Sequence, residues 1–158
     1  MKTKEIRIYV REYTGLDELN GDDRQLLQLA RQTAQHAYAP YSGFRVGAAI
    51  ELANGERVTG NNQENMAYPS GLCAERVALF TAGARFPDVA VKTLAVTAIN
   101  KEGKTPAIAA PCGACRQVML ESEVRAGQNI RIILDGQPIT VLEGVGSLLP
   151  LNFKQEYL

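Results

Sequence analysis

The period of the hydrophobic positions changes several times along the chain, and each change marks an element. In KEIRIYVRE (4–12), Ile6, Ile8 and Val10 alternate with polar or charged neighbours, which predicts a strand or extended arm over residues 4–13. From residue 22 to 37 the spacing becomes helical. Leu26, Leu27, Ala30, Ala34 and Ala37 form one stripe, with Gly21 or Asp22 as the expected cap. YAPYSGF (38–44) is a loop of turn residues. FRVGAAIEL and ERVTG then flank Asn54-Gly55, a pair that accepts the positive φ angles of a tight hairpin.

NNQENMAYPSG (61–71) reads as a polar loop leading into a helix over about residues 73–84. TLAVTAI (93–99) reads as a buried strand, and residues 100–110 as a loop ending at Pro111. A second long helix opens at CGACRQVMLES (112–122). NIRIILD (129–135) and ITVL (139–142) are further strands, and GVGSLLPLNF (144–153) closes with a short turn or helix. Strands that alternate with helices predict an α/β fold, a sheet layered with helices. The length of 158 residues predicts one domain over 1–158, with 1–20 as an extended N-terminal arm.

Composition narrows the function. Hydrophobic residues make up 46% of the chain and the formal net charge is zero, so no basic surface is expected to attract nucleic acid. No apolar run reaches bilayer length and the N-terminus lacks a signal-peptide core, so the expected location is the cytoplasm, away from membranes.

The cysteines change the picture further. There are three of them, Cys73, Cys112 and Cys115, an odd number that argues against a disulfide framework. Cys112 and Cys115 form a C-x-x-C pair, which suits a metal site or a redox pair. All three sit at predicted helix entrances, where the partial positive charge stabilises thiolates. Three thiolates can hold zinc tetrahedrally and leave the fourth position open, the pattern of a catalytic site. His36, the only histidine, has no motif around it. Glu75 follows Cys73 by two residues, and a carboxylate there can take a proton from metal-bound water. The two side chains converge only at an irregular first turn.

LCAER (72–76) with PCGACRQ (111–117) resembles the zinc-dependent cytidine deaminases of the short-chain, homotetrameric type. FRVGAA (44–49), NQEN (62–65), AYPSG (67–71) and LLPLNF (148–153) extend the resemblance from about residue 38 to 153. It implies a three-layer cytidine-deaminase-like fold, with a mixed central sheet and helices on both faces. It also implies one zinc ion per subunit on Cys73, Cys112 and Cys115, with Glu75 as the proton carrier for hydrolysis of cytidine or deoxycytidine in pyrimidine salvage. By the same resemblance, Asn62 and Glu64 hold the ribose hydroxyls, Phe44 packs on the substrate, and the Ala74 N–H binds the base carbonyl. Phe153 reaches a neighbouring subunit's pocket in a homotetramer with shared active sites.

Charge bookkeeping adds a role for Arg76. Three thiolates and Zn²⁺ sum to a net negative charge, which disfavours ionisation of bound water, so something should draw charge off the sulfurs. The two helix N-termini can do so, and Arg76 can too. Arg76, three residues after Cys73, shares that face of the helix. The chain departs from the family pattern at Arg45, where a proline is expected, and at Met66, where a small residue is usual. Both bear on substrate preference. The rival readings are a blasticidin-S-type or other modified-nucleoside deaminase, a polynucleotide editor, a catalytically silent zinc subunit, and a redox pair at Cys112 and Cys115.

Overall fold

The helices cover the sheet on both sides, and adjacent residues of each strand therefore pack in opposite directions. The structure, a computed structural model, describes residues 1–153. Its strands are β1 (Arg11–Tyr13), β2 (Arg45–Leu52), β3 (Arg57–Asn61), β4 (Val91–Ile99), β5 (Arg131–Leu134) and β6 (Ile139–Glu143). Its helices are α1 (Gly21–Ala34), α2 (Ala74–Arg85) and α3 (Gly113–Ala126), with single 3₁₀ turns at Leu16–Glu18, Tyr68–Ser70 and Val145–Ser147. Leu26, Leu27 and Ala30 of α1 pack against Ala49, Ala95, Ile133 and Val141. On the opposite face, Ala78 of α2 and Met119 of α3 pack against Ala48, Ile50, Leu94, Val96 and Ile132. This alternation explains why TLAVTAI and RIIL read as continuous apolar runs: both of their faces are buried.

The sheet order is β1-β6-β5-β4-β2-β3. Among the strands of the described residues, β4 and β5 alone are parallel. A parallel pair needs a crossover, and α3 provides it, which places the α3 N-terminus beside the end of β4. The Asn54-Gly55 turn joins β2 to β3 with Gly55 at φ +85°. Two glycines allow the helices to approach closely. A Cβ on Gly47 would lie 2.2 Å from Ala30 O, and one on Gly60 would lie 2.4 Å from Ala78 N.

Several boundaries differ from the sequence reading. Of the expected strand 4–13, only Arg11–Tyr13 pairs with β6, and the arm leaves the sheet before β6 reaches its end at Glu143. The cap of α1 is Asn20, one residue before Gly21. Its Oδ1 accepts from Asp23 N at 2.9 Å, and its Nδ2 donates to Asp23 Oδ2 at 2.8 Å. The helix stops at Ala34, so Ala37 belongs to the following loop. Among the described residues, no helix is long and apolar enough to cross a membrane.

Candidate active site

Cys73 and Cys112 are the N-caps of α2 and α3, yet neither side chain makes a capping hydrogen bond, so both sulfurs are available to serve elsewhere. Cys115 lies one turn into α3 and is fully buried. The three Sγ atoms lie within 4.8 Å of one another. Cys73 is 3.8 Å from Cys112, and Cys112 is 3.4 Å from Cys115.

This donor set fits a metal cation. The Cys73 thiol is lowered to about 5, first by hydrogen bonding from Cys115 and then by Arg76. The same proximity to Cys73, with burial, pushes Cys115 far up. One thiolate therefore suppresses the next when the sulfurs stand alone, whereas a divalent cation lets all three ionise. Arg76 Nη2 donates toward Cys73 Sγ at 3.8 Å, which puts a positive charge against the sulfur cluster. Arg76 Nε is buried with no hydrogen-bond partner among the described residues.

Glu75 is only 4% exposed, and burial raises its carboxyl above the usual range. It lines the same cavity as Cys73 and Cys112, a space of about 740 Å³, well within the size range of small-ligand sites. Phe44 and Val46 from the start of β2 form one wall. Ile108 and Ala109, in the loop before Cys112, form another. Tyr41 and Tyr68 also line it, with their rings edge-to-face at 6.4 Å between centroids.

Asn62 and Glu64 are part of this lining, and both also brace it. Asn62 Oδ1 accepts from Val46 N at 2.7 Å while its Nδ2 donates to Phe44 O at 2.9 Å, clamping the start of β2. Glu64 Oε2 accepts from Tyr41 N at 2.8 Å, and the Ser42 hydroxyl donates to Oε1. Ser42 Oγ in turn accepts from Phe44 N at 2.9 Å. The Glu64 carboxyl is held below its usual range, chiefly by Ser42.

The remaining sequence-derived candidates fall in different places. Ala74 is fully buried at the first position of α2, where helical N–H groups have no intrahelical acceptor. Phe153 is exposed and is not part of the cavity of its own chain; its carbonyl accepts from Gln117 Nε2 at 3.1 Å. Arg45 points away from Phe44, as strand alternation requires, and lines a separate depression with Lys101. Met66 is 81% exposed and lies outside the cavity wall, to which Asn65 and Tyr68 contribute instead. In a single chain it therefore does not trim the pocket as its size suggested.

Sequence reasoning missed one group altogether. Asp135 is fully buried at the end of β5. Arg31 of α1 grips it with two hydrogen bonds of 2.8 and 2.7 Å, and Thr97 Oγ1 donates to it at 2.6 Å. The Asp135 carbonyl accepts from Ala109 N at 2.7 Å, so this knot anchors the cavity loop that leads to Cys112. The one available signal was an acid closing the apolar run IRIILD, since an aspartate is rarely buried without a partner.

Comparison with known proteins agrees with this geometry. The family model for the cytidine and deoxycytidylate deaminase zinc-binding region matches residues 20–128. A protein of Halalkalibacterium halodurans named cytidine deaminase is 41% identical over 100 residues, 63% of this chain and 71% of that protein. The crystal structure of cytidine deaminase from Burkholderia pseudomallei superposes with a TM-score of 0.70 at 36% identity, covering 82% of this chain and 97% of that one. The cytidine deaminase of Mycobacterium tuberculosis gives 0.65 at 34% identity, covering 85% and 99%. A matching domain over most of the chain, a shared fold and three cysteines in position to hold a metal ion lead to one statement: the chain belongs to the cytidine and deoxycytidylate deaminase family.

Proposed function

We propose that the chain hydrolyses cytidine and deoxycytidine to uridine and deoxyuridine with release of ammonia, a step of pyrimidine salvage in the cytoplasm. The observation that carries this reading is a buried carboxylate, Glu75, in a nucleoside-sized cavity that also exposes sulfurs from a three-cysteine cluster. Cys73, Cys112 and Cys115 would hold one zinc ion, which would supply the Lewis acidity that makes water reactive at neutral pH. Glu75 would accept a proton from the attacking water and pass it to ring nitrogen N3. It would then take the second proton from the hydroxyl now on C4 and deliver it to the amine, which leaves as ammonia as the C4–N bond breaks and the C4 carbonyl forms. Its dry surroundings suit this work, because burial brings a carboxyl nearer to neutral pH. Arg76 offsets the charge of the Cys73 thiolate.

The Ala74 N–H binds the carbonyl oxygen of the base, and Phe44 packs against the substrate. Asn62 and Glu64 bind the ribose hydroxyls. Their bonds to the 41–46 backbone leave capacity for this, because an amide keeps a second N–H and lone pair and a carboxylate has about four acceptor positions. Phe153 completes the cavity of a neighbouring subunit in a homotetramer. Arg116 Nη1, which donates to Leu148 O at 2.7 Å, ties the segment that carries Phe153 to α3.

Substrate profiling tests the reading. Ammonia release by zinc-loaded protein is expected from cytidine and deoxycytidine and not from free cytosine, which lacks the sugar that Asn62 and Glu64 bind. Turnover of blasticidin S alone would assign the site to a modified nucleoside. No turnover with zinc bound would reject the enzyme.

A further inference from the structure

Residues 1–10 belong to no strand or helix, and every one of them is exposed. They nevertheless keep a strand's pattern. Ile6, Ile8 and Val10 fall on one face and are 47, 48 and 47% exposed, while Glu5, Arg7 and Tyr9 fall on the other. The arm leads into β1, the terminal strand of the sheet, which among the described residues pairs on one side only, with β6. An open sheet edge extended by a segment with one apolar face is suited to strand addition.

We propose that the arm pairs with the same arm of a second copy of this chain, antiparallel, about a twofold axis through Ile8. The sequence itself selects this partner, because residues 4–12, KEIRIYVRE, are complementary to their own reverse. Pairing about Ile8 sets Lys4 opposite Glu12, Glu5 opposite Arg11, Ile6 opposite Val10 and Arg7 opposite Tyr9. Every charged residue of the stretch thus faces an opposite charge or an aromatic ring, and the apolar residues face one another. Glu5 already accepts from Arg7 of its own chain at 2.9 Å on the same face, and in the pair it lies between that arginine and Arg11 of the second copy.

Neighbouring registers lose these matches. An axis through Arg7 places two arginines face to face, and an axis through Tyr9 sets Arg7 against Arg11. A slip of one arm by a single residue opposes the apolar and charged faces. Each end of the resulting ribbon is anchored by β1–β6 pairing, so the ribbon does not have to be stable alone, and the two sheets become one. The interface is isologous: one patch serves both copies. None of this depends on the catalytic reading.

The test uses the full chain and its mass in solution by sedimentation velocity. Because Ile8 faces its own copy, Ile8→Asp brings two carboxylates together and Ile8→Lys two ammonium groups. Each variant alone is expected to show half the mass of the wild-type assembly. Equal mixing of the two variants is expected to restore the wild-type mass, since Asp then faces Lys. Ile8 lies outside every element of the single chain, so the variants should stay folded, with the helical signal and a single cooperative melting transition retained. An unchanged mass for Ile8→Asp overturns the proposal. So does failure of the mixed variants to reassociate, or a wild-type chain that sediments as a monomer throughout.

Discussion

At the scale of single residues, the site is a small set of charges that constrain one another. Arg76 lies against Cys73 at 3.8 Å, and removing it leaves the thiolates with less positive charge nearby. Arg76→Ala is expected to lower zinc affinity or turnover by about 10–100-fold, as loss of outer partners to metal ligands typically does. Full zinc content with full turnover would remove Arg76 from the mechanism. Glu64 offers a test by pH. Its carboxyl is depressed first by the Ser42 hydroxyl and then by the Tyr41 and Ser42 N–H groups. A depressed carboxyl favours the folded loop above its ordinary pKa, and that contribution fades as the pH falls through the lower folded value. Ser42→Ala should move the Glu64 titration, followed by carbon NMR, up toward the ordinary glutamate range. An unmoved titration would mean that the hydroxyl does not hold the carboxylate.

Among elements, what matters is how closely the helices approach the sheet and how the cavity loop is anchored. Gly60 faces the first turns of α2, where a methyl group would meet Ala78 N at 2.4 Å and Ala74 O at 2.5 Å. Gly60→Ala should push the start of α2 away from β3, displacing Cys73 and Glu75 together. The expected outcome is a lower melting temperature and reduced zinc content. Normal values of both would show that the helix has room to spare. Asp135→Ala should cost about 2–3 kcal/mol in urea unfolding, the worth of hydrogen bonds to a charged group left without its acceptor. The figure stays below that of a wholly buried pair because the Arg31 side chain is 40% exposed and can turn to water. Wild-type stability in that variant would mean that the knot anchors nothing.

The elements also show what a sequence can and cannot reveal. Helix stripes, the Asn54-Gly55 turn and the buried strands were legible because each follows from local spacing. The fate of residues 4–10 was not, because an alternating pattern does not say whether the fold lays a partner strand alongside it. The three-cysteine cluster was legible because few residue types bind zinc and their motifs are short. The Asp135 knot was hidden because its members, Arg31, Thr97 and Asp135, come from three distant segments that only the folded chain brings together.

For the whole molecule, the zinc cluster joins two helices over a core that is already extensive. Cys73 opens α2 and Cys112 opens α3, while apolar clusters on both faces of the sheet hold the layers together. Chelation should therefore lower the melting temperature without unfolding the chain, because a ligand that binds only the native state adds to existing stability. Collapse of the circular dichroism spectrum on chelation would instead make the metal the main support of the fold. Deamination depends most on the pairing of a metal on three cysteines with one buried proton carrier. The direct test is ammonia release from cytidine by zinc-loaded Glu75→Ala beside wild type, with bound zinc measured in the same samples. The account predicts equal zinc in both and turnover in the mutant reduced by at least about 100-fold. Turnover close to wild type with zinc bound would contradict it.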